Sequence, residues 1–292
     1  MVPSSVSYLG RNSVPIVADC YGSPDAPPVV LLHGGGQTRH AWGSTARELG
    51  VAGWHAIALD LRGHGDSGWD PVGDYSLDAF VEDLLAVSVS LARPPVAVGA
   101  SLGGMASLLC AGEIAPDALR AIVLVDVAPK TEPEGVERII SFMGANRDGF
   151  ASVEEAAEAI AAYLPHRPRP TNLDGLTKNL RLDASGRYRW HWDPAFMHGE
   201  RRVNAARDPD RMARAARELR LPALLVRGRM SDVVSQEGAR HFLELAPHAR
   251  YVDVSGAGHM VAGDENDAFT AAVIEFLRDV STPPDPNQTG PR

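Results

Sequence analysis

Short apolar runs alternate along this chain with segments of helical periodicity, and this alternation limits the possible folds more than any other feature. The runs are almost unbroken by polar residues, as expected of strands buried on both faces of a sheet. They are Val29–Leu32, Trp54–Leu61, Val96–Val98, Ala121–Val125, Ala223–Arg227 and Ala249–Val254. Strands separated by helices indicate an α/β fold with a mostly parallel, doubly wound sheet and helices on both faces.

The alternation stops in the middle of the chain and resumes near its end. Between Pro129 and about Arg220 there is no strong strand pattern, and the clearest signals are two helical ones, at Val153–Ile160 and Asp208–Arg214. We therefore predict an α/β core made of residues 1–128 and 221–280, with residues 129–220 inserted as a helical cap. Residues 281–292 contain several prolines and are predicted to be a disordered tail.

Charge and hydropathy restrict the partners of the chain. The 28 Lys and Arg residues against 37 Asp and Glu give a net charge of −9, which argues against a nucleic acid or an anionic membrane surface. No apolar run approaches the length that spans a membrane, and the first residues do not resemble a secretory leader. We expect a cytoplasmic protein that acts on a small molecule; the composition leaves the oligomeric state open.

The cysteines, histidines and glycines of the sequence bear on whether the chain binds a metal or a cofactor. Cys20 and Cys110 both lie in apolar patterns, so they are predicted to be buried free thiols rather than a disulfide. No cluster of possible ligands has the spacing of a metal site. The run Gly34-Gly35-Gly36 lacks the spacing of the common nucleotide-binding motifs. The sequence therefore predicts neither a metal nor a cofactor.

One glycine-rich stretch carries a nucleophile signature. Gly99, Ser101 and Gly103 fit the pattern G-x-S-x-G, with an apolar strand before it and a helical pattern after it. In this arrangement the serine stands on a sharp turn, and the flanking glycines let the strand and helix backbones pass close together. The start of the helix also directs free N–H groups towards the serine. Ser101 is thus the candidate nucleophile.

A serine hydroxyl needs a base, and the base needs an orienting carboxylate. In doubly wound hydrolases these follow the serine in the order acid, then histidine. Late strands offer one of each: Asp232 follows the strand at Ala223–Arg227, and His259 follows the strand at Ala249–Val254.

Together, these motifs resemble the α/β-hydrolase-fold serine hydrolases of the esterase and cofactor-free haloperoxidase-like branch. The resemblance rests on the ordered set of His33-Gly34-Gly35-Gly36, the run Asp60–Ser67, the serine turn, the acid turn and Gly258-His259. It implies that Ser101 is the nucleophile, His259 the general base and acid, and Asp232 the orienting carboxylate. It also places an oxyanion hole at the backbone N–H groups of Gly35 and Leu102.

The acid has a second candidate. Asp232 follows Gly228 by four residues, whereas many relatives place the acid three residues after the turn glycine. Some relatives instead use a carboxylate after the strand that follows the serine helix, where this chain has Asp126. We favour Asp232 and interpret Asp126 as a turn or capping residue. Arg62 and His64 are interpreted mainly as braces of the tight turn around Gly63 and Gly65.

The cap contains a concentration of aromatic residues. Trp190, Trp192 and Phe196 could line an apolar pocket above Ser101, together with Gly34 from the glycine loop, or the aromatics could form the cap's own small core. The function expected from the resemblance is hydrolysis of a carboxylic ester, or a related acyl bond, of a small apolar substrate through an acyl-enzyme. Perhydrolysis and carbon–carbon bond hydrolysis use the same triad, and a non-catalytic receptor or scaffold is the alternative outside enzymes.

Overall fold

The computed structural model describes residues 2–164, 173–203, 208–261 and 266–281. Within these ranges the strands are, in chain order, β1 (Ser4–Leu9), β2 (Pro15–Tyr21), β3 (Pro28–Leu32), β4 (His55–Leu59), β5 (Val96–Ala100), β6 (Ala121–Val125), β7 (Leu180–Leu182), β8 (Tyr188–Trp190), β9 (Ala223–Gly228) and β10 (Arg250–Val254). Eight of them form one sheet in the order β1-β2-β4-β3-β5-β6-β9-β10.

The sheet is parallel except at one edge. β1 pairs antiparallel with β2, and β2 pairs antiparallel with β4, whereas the other neighbouring strands are parallel. Every residue of β3 and of β6 is buried, as their unbroken apolar sequences predict. Parallel strands that are buried on both faces require helices on both sides. The predicted α/β class is confirmed.

Helices of the described residues cover both faces of the sheet and build the insertion. They are α1 (Gly43–Val51), α2 (Leu77–Val89), α3 (Leu102–Leu109), α4 (Pro133–Gly144), α5 (Val153–Tyr163), α6 (Asp174–Thr177), α7 (Ala195–His198), α8 (Pro209–Glu218), α9 (Gln236–Leu245) and α10 (Asn266–Ser281). Serine hydroxyls cap three of them by accepting a backbone N–H of the first turn: Ser76 at α2, Ser152 at α5 and Ser235 at α9.

Two large apolar clusters lie on opposite faces of the sheet. One contains Val30, Leu32 and Ile57 together with side chains of α2, α3 and α9. The other contains Val29, Leu31 and Val123 with side chains of α1 and α10. Alternate residues of β3 therefore belong to different clusters, which is the consequence of the two-residue period of a strand.

The insertion between β6 and β9 differs from the prediction in one element. Besides α4 to α7 it holds an antiparallel hairpin, in which Leu180 of β7 pairs with Trp190 of β8. Each strand of the hairpin has only three residues, too few for a recognisable alternation in the sequence. The tail predicted to be disordered lies, from residue 282 onwards, outside the described residues.

Helix α8 lies inside the stretch predicted as cap but packs against the core. Its Ala215 and Ala216 are buried in the same cluster as residues of α3. The approach is close: a Cβ on Gly112, in the helical turn after α3, would lie 2.0 Å from the Ala215 carbonyl oxygen. Glycine is therefore required at this contact.

Both cysteines are free and buried, as the sequence predicts. Burial raises the pKa of the Cys110 thiol to about 12 and that of Cys20 to about 11. At neutral pH both therefore remain thiols and behave as small apolar side chains. In the described part of the chain, no helix combines the length and the hydropathy needed to cross a bilayer.

Candidate active site

Ser101 stands between β5 and α3 in a backbone conformation that few non-glycine residues adopt. Its φ is +45° and its ψ is −109°. A Cβ on Gly99 would lie 2.4 Å from the backbone carbon of Gly103, and a Cβ on Gly103 would lie 2.5 Å from the Leu32 carbonyl oxygen. The two glycines are therefore required for the strand and the helix to cross. They hold a strained serine at the carboxyl edge of the sheet.

The candidate base is paired with a buried carboxylate. The Nδ1 atom of His259 lies 2.7 Å from Oδ2 of Asp126, and the Asp126 side chain is completely buried. Because a carboxylate accepts hydrogen bonds, Nδ1 carries the proton of the neutral imidazole and Nε2 keeps its lone pair. The His259 side chain retains 17 % of its exposure, so the imidazole is reachable from outside.

Asp126 is held in place from several directions. It follows β6 with a φ of +49°, and its own N–H donates to the Val226 carbonyl oxygen. Oδ1 accepts the Gly228 N–H at 3.1 Å, and Oδ2 accepts the Ser231 hydroxyl at 2.5 Å as well as His259 Nδ1. These hydrogen bonds fix the orientation of the Asp126 carboxylate beside His259.

The other candidate acid, Asp232, does not fill the position expected for it. Its Oδ2 lies 2.7 Å from Nη1 of Arg138, in a pair whose side chains are 42 % and 57 % exposed. The turn after β9 explains the difference: Ser231 N–H closes it onto the Gly228 carbonyl oxygen, and the Ser231 side chain faces Asp126. The residue added to this turn thus displaces Asp232 to the surface.

Hydrogen bonds orient the glycine loop after β3. His33 Nδ1 donates to the Gly34 carbonyl oxygen at 2.7 Å, and the Gly34 N–H donates to Gln37 Oε1 at 3.0 Å. In a trans peptide the carbonyl oxygen and the next N–H point in opposite directions. Since His33 holds the Gly34 oxygen, the N–H of Gly35 points away from His33.

The loop lies directly beside the nucleophile turn. A Cβ on Gly34 would come within 3.4 Å of the Ser101 Cβ. Leu102 is the first residue of α3, so no carbonyl one turn earlier in that helix can accept its N–H. The N–H groups of Gly35 and Leu102 belong to the two segments that meet at Ser101. They remain our predicted oxyanion donors.

Three buried histidines surround this loop, and each makes two hydrogen bonds. His33 Nε2 accepts the Leu61 N–H, and His64 donates from Nδ1 to the Arg62 carbonyl oxygen while Nε2 accepts the Gly36 N–H. His191 lies 5.7 Å from His64 between ring centroids. Burial lowers the pKa of all three imidazoles, His33, His64 and His191, to about 3.

These histidines should make the fold acid-labile. Their pKa values are lower in the folded protein than the usual 6.5, so the unfolded chain binds more protons as the pH falls below 6.5. Their contribution is therefore fully present above about pH 6.5 and is lost as the pH falls towards 3. We expect the free energy of unfolding to drop by up to about 4 kcal/mol per pH unit near pH 5, at about 1.4 kcal/mol per proton.

Urea denaturation at pH 7.5, 6.5, 5.5 and 4.5 measures this dependence. In the variant His191→Asn the free energy of unfolding should fall less steeply with decreasing pH, by the contribution of about one proton. His248 is exposed, and His248→Asn serves as the control for the substitution itself. Equal stability at pH 7.5 and 5 would contradict the assignment of three neutral histidines.

The turn around residue 62 is braced as the sequence suggests. The Arg62 guanidinium is completely buried and binds both carboxylate oxygens of Asp83 at 2.6 Å, while Nη1 binds Asp70 at 3.0 Å. Gly63 and Gly65 have φ values of +71° and +53°. Arg62 and His64 therefore fix the loop that follows β4.

The predicted cap aromatics divide into two groups. Trp190 and Trp192 stack with 5.0 Å between ring centroids and line a cavity of about 390 Å³. Phe196 is 2 % exposed and packs edge-on against His64 and Tyr75. The geometry thus supports a substrate contact for the two tryptophans, and it gives Phe196 a packing role beneath the loop.

Two side chains that line the cavity also lie beside the glycine loop. A Cβ on Gly36 would lie 2.9 Å from Met143 Cε and 3.2 Å from Trp192 Cζ3. Both side chains also line the cavity. Its remaining lining residues come from the end of α4 and the segment around α7: Ala145, Asn146, Arg147, Arg189, Pro194, Ala195, Met197, His198 and Gly199. The cavity therefore adjoins the glycine loop through Met143 and Trp192, and Ser101 and His259 are not among its lining residues.

Sequence reasoning missed two residues of this arrangement. Ser231 bonds the buried carboxylate, and His191 bonds the glycine loop. Ser231 precedes Asp232 in the acid turn, so the extra residue in that turn was a usable signal. His191 lies among cap aromatics and gives no signal in the sequence. Among the residues described, no group of three or more His, Cys, Asp or Glu side chains could hold a metal ion.

Comparison with known proteins gives consistent matches. The model of the alpha/beta hydrolase fold family matches residues 27–265. An esterase of Mycobacterium tuberculosis, Rv0045c, is 32 % identical, with 87 % of this chain and 83 % of that protein covered. The esterase YbfF of Escherichia coli is 27 % identical over 86 % of this chain and 93 % of its own length. The crystal structure of E-2-(acetamidomethylene)succinate hydrolase superimposes with a TM-score of 0.81 at 24 % identity, covering 94 % of this chain and all of the other.

Proposed function

The chain belongs to the alpha/beta hydrolase fold family, and from this premise we propose that it is a serine esterase of small carboxylic esters. The observation that carries the proposal is the His259–Asp126 hydrogen bond of 2.7 Å. It belongs to the same carboxyl edge of the sheet as the strained turn of Ser101. Esterases among the similar proteins support the same reaction type.

In the proposed reaction Ser101 Oγ attacks the ester carbonyl carbon. His259 Nε2 takes the hydroxyl proton, and Asp126 stabilises the imidazolium through Nδ1. The developing oxyanion accepts hydrogen bonds from the N–H groups of Gly35 and Leu102. The tetrahedral intermediate collapses, His259 gives its proton to the departing alkoxide, and an acyl-enzyme remains.

Water then completes the turnover. His259 Nε2 takes a proton from the water, whose oxygen attacks the acyl carbon. Collapse of the second intermediate breaks the bond to Ser101 Oγ, which regains a proton from His259. The products are an alcohol and a carboxylic acid, and the enzyme returns to its starting state.

The cavity supports a limit on the size of the substrate. A volume of about 390 Å³ lies at the small end of ligand pockets, and stacked indoles form part of its wall. We expect p-nitrophenyl esters with short or medium acyl chains to have the highest kcat/KM, with dodecanoate at least tenfold lower. A series from acetate to dodecanoate measures this.

Replacing the tryptophan wall should move the preference. Trp190→Ala enlarges the cavity and should shift the optimum by two or more carbons, because it removes a large apolar surface. Trp69→Ala is the matched control, since Trp69 is 46 % exposed and stacks on Arg181 away from the cavity. If the two variants have the same chain-length profile as the wild type, the cavity does not bind the acyl group.

A fluorophosphonate probe tests catalysis independently of the substrate. An activated serine forms a covalent phosphonyl adduct, whereas a receptor or scaffold with an inactive site does not. We expect one label per chain, located on the peptide that contains Ser101. Absence of labelling, together with no turnover of any ester in the series, would refute the proposed function.

A further inference from the structure

A cap residue reaches the loop beside the nucleophile. His191 lies between β8 and α7 and is 1 % exposed. Its Nδ1 accepts the Gly65 N–H at 2.8 Å, and its Nε2 lies 3.2 Å from the Gly36 carbonyl oxygen. Only the tautomer with the proton on Nε2 makes both bonds, so Nε2 donates to Gly36.

The residue it holds is the one next to the predicted oxyanion donor. Gly36 has a φ of +76°, and its N–H donates to His64 Nε2 at 3.1 Å. His64 thus fixes the peptide between Gly35 and Gly36 from the core side, and His191 fixes the following peptide from the cap side. Three successive glycines have wide conformational freedom, so the hydrogen bonds from His33, His64 and His191 to the loop together define where the Gly35 N–H points.

We propose that His191 is a positioning residue through which the cap sets the oxyanion loop. This inference rests on the proposed esterase function. The effect is on the transition state: an N–H that points at the oxyanion gains most of its energy only as negative charge develops on the carbonyl oxygen. Loss of the Gly36 bond should therefore lower kcat more than it changes KM.

The cap segment has other attachments that keep it in place without His191. The Asp193 N–H donates to the Gly63 carbonyl oxygen at 2.8 Å, and Tyr75 donates its hydroxyl to Asp193 Oδ2 at 2.6 Å. The His191 N–H itself donates to the Asn179 carbonyl oxygen at 3.0 Å. A side-chain substitution at this position leaves all three bonds available.

Two substitutions separate the two bonds of the ring. The amide of His191→Asn lies near the place of Nδ1, so it can accept the Gly65 N–H but does not reach Gly36. The amide of His191→Gln extends to the place of Nε2 and can donate to the Gly36 carbonyl oxygen. We expect kcat on a p-nitrophenyl ester to fall about 10- to 100-fold in the Asn variant, with KM within about threefold. The Gln variant should regain kcat to within about threefold of the wild type.

The inhibition constant of an alkylboronic acid distinguishes a positioning role of His191 from a merely structural one. Such an acid forms a tetrahedral adduct with a catalytic serine and so resembles the transition state. In His191→Asn its inhibition constant should rise by about the factor by which kcat falls. The exposed His248→Asn serves as the control and should match the wild type in kcat, KM and inhibition constant.

The outcomes distinguish the inference from the function on which it rests. A wild-type protein that neither hydrolyses esters nor reacts with the phosphonate refutes the proposed function. An active wild type whose His191→Asn variant keeps its kcat and its boronate affinity overturns the role of His191. The role is equally overturned if the Gln and Asn variants lose the same activity, or if KM rises as much as kcat falls.

Discussion

Asp126→Asn should lower kcat for ester hydrolysis by about 10³- to 10⁴-fold, with the fold intact. The amide has no negative charge to stabilise the imidazolium, and its NH₂ group can donate to His259 Nδ1. That donation moves the imidazole proton to Nε2, where it blocks the acceptance of the serine proton. The loss is therefore in the chemical step, measured as kcat under saturating ester.

The matched variant is Asp232→Asn. Asp232 bonds Arg138 in an exposed ion pair, and such pairs contribute little to stability. We expect kcat within about twofold of the wild type and an unchanged denaturation midpoint. The reverse pattern, with Asp232→Asn inactive and Asp126→Asn active, would return the acid to the position that the sequence motif favoured.

Ser101→Ala should abolish turnover, with kcat reduced by about 10⁶-fold, because no other group on the turn can form the acyl-enzyme. Alanine adopts the φ of +45° at a cost similar to that of serine, so the stability should change little. Ester hydrolysis, phosphonate labelling and urea denaturation are measured on the same preparation.

One control variant completes this test. Ser107 is a serine of the same helix whose hydroxyl bonds the Gly103 carbonyl oxygen inside the core. Ser107→Ala serves as the control, and it should retain labelling and turnover. Ser101→Ala that still hydrolyses the ester at a rate near that of the wild type would show that another nucleophile acts.

The strands and the turn that position Ser101 could be predicted from the sequence. At these positions the local geometry permits only certain residue types, so the structural requirement is visible in the sequence itself. Glycine is needed at 99 and 103 because a Cβ at either position would lie about 2.5 Å from neighbouring backbone atoms, and every other residue type carries a Cβ. The apolar runs of β3 and β6 are needed because both faces of each strand are buried. Such local requirements leave a clear pattern in the sequence.

The carboxylate that bonds His259 could not be predicted from the sequence in the same way. Asp126 and Asp232 each follow a buried strand, and the sequence alone does not define how far the turn after β9 extends. Ser231, not Asp232, faces the carboxylate, so a difference of one residue in a turn decided the geometry. His191 depends on contacts with residues 36 and 65, more than a hundred positions away, and no local pattern encodes these.

The attachment of residues 191–196 to the loop after β4 has a consequence for modularity. An insertion between β6 and β9 would be a natural unit to exchange. Replacing it with a different cap would be expected to give a different specificity. Here the bonds of His191 and Asp193 to Gly65 and Gly63, and the packing of Phe196 on His64, attach this segment to the loop after β4. A graft that replaced residues 191–196 would therefore remove these attachments, and with them the hydrogen bond from His191 to Gly36.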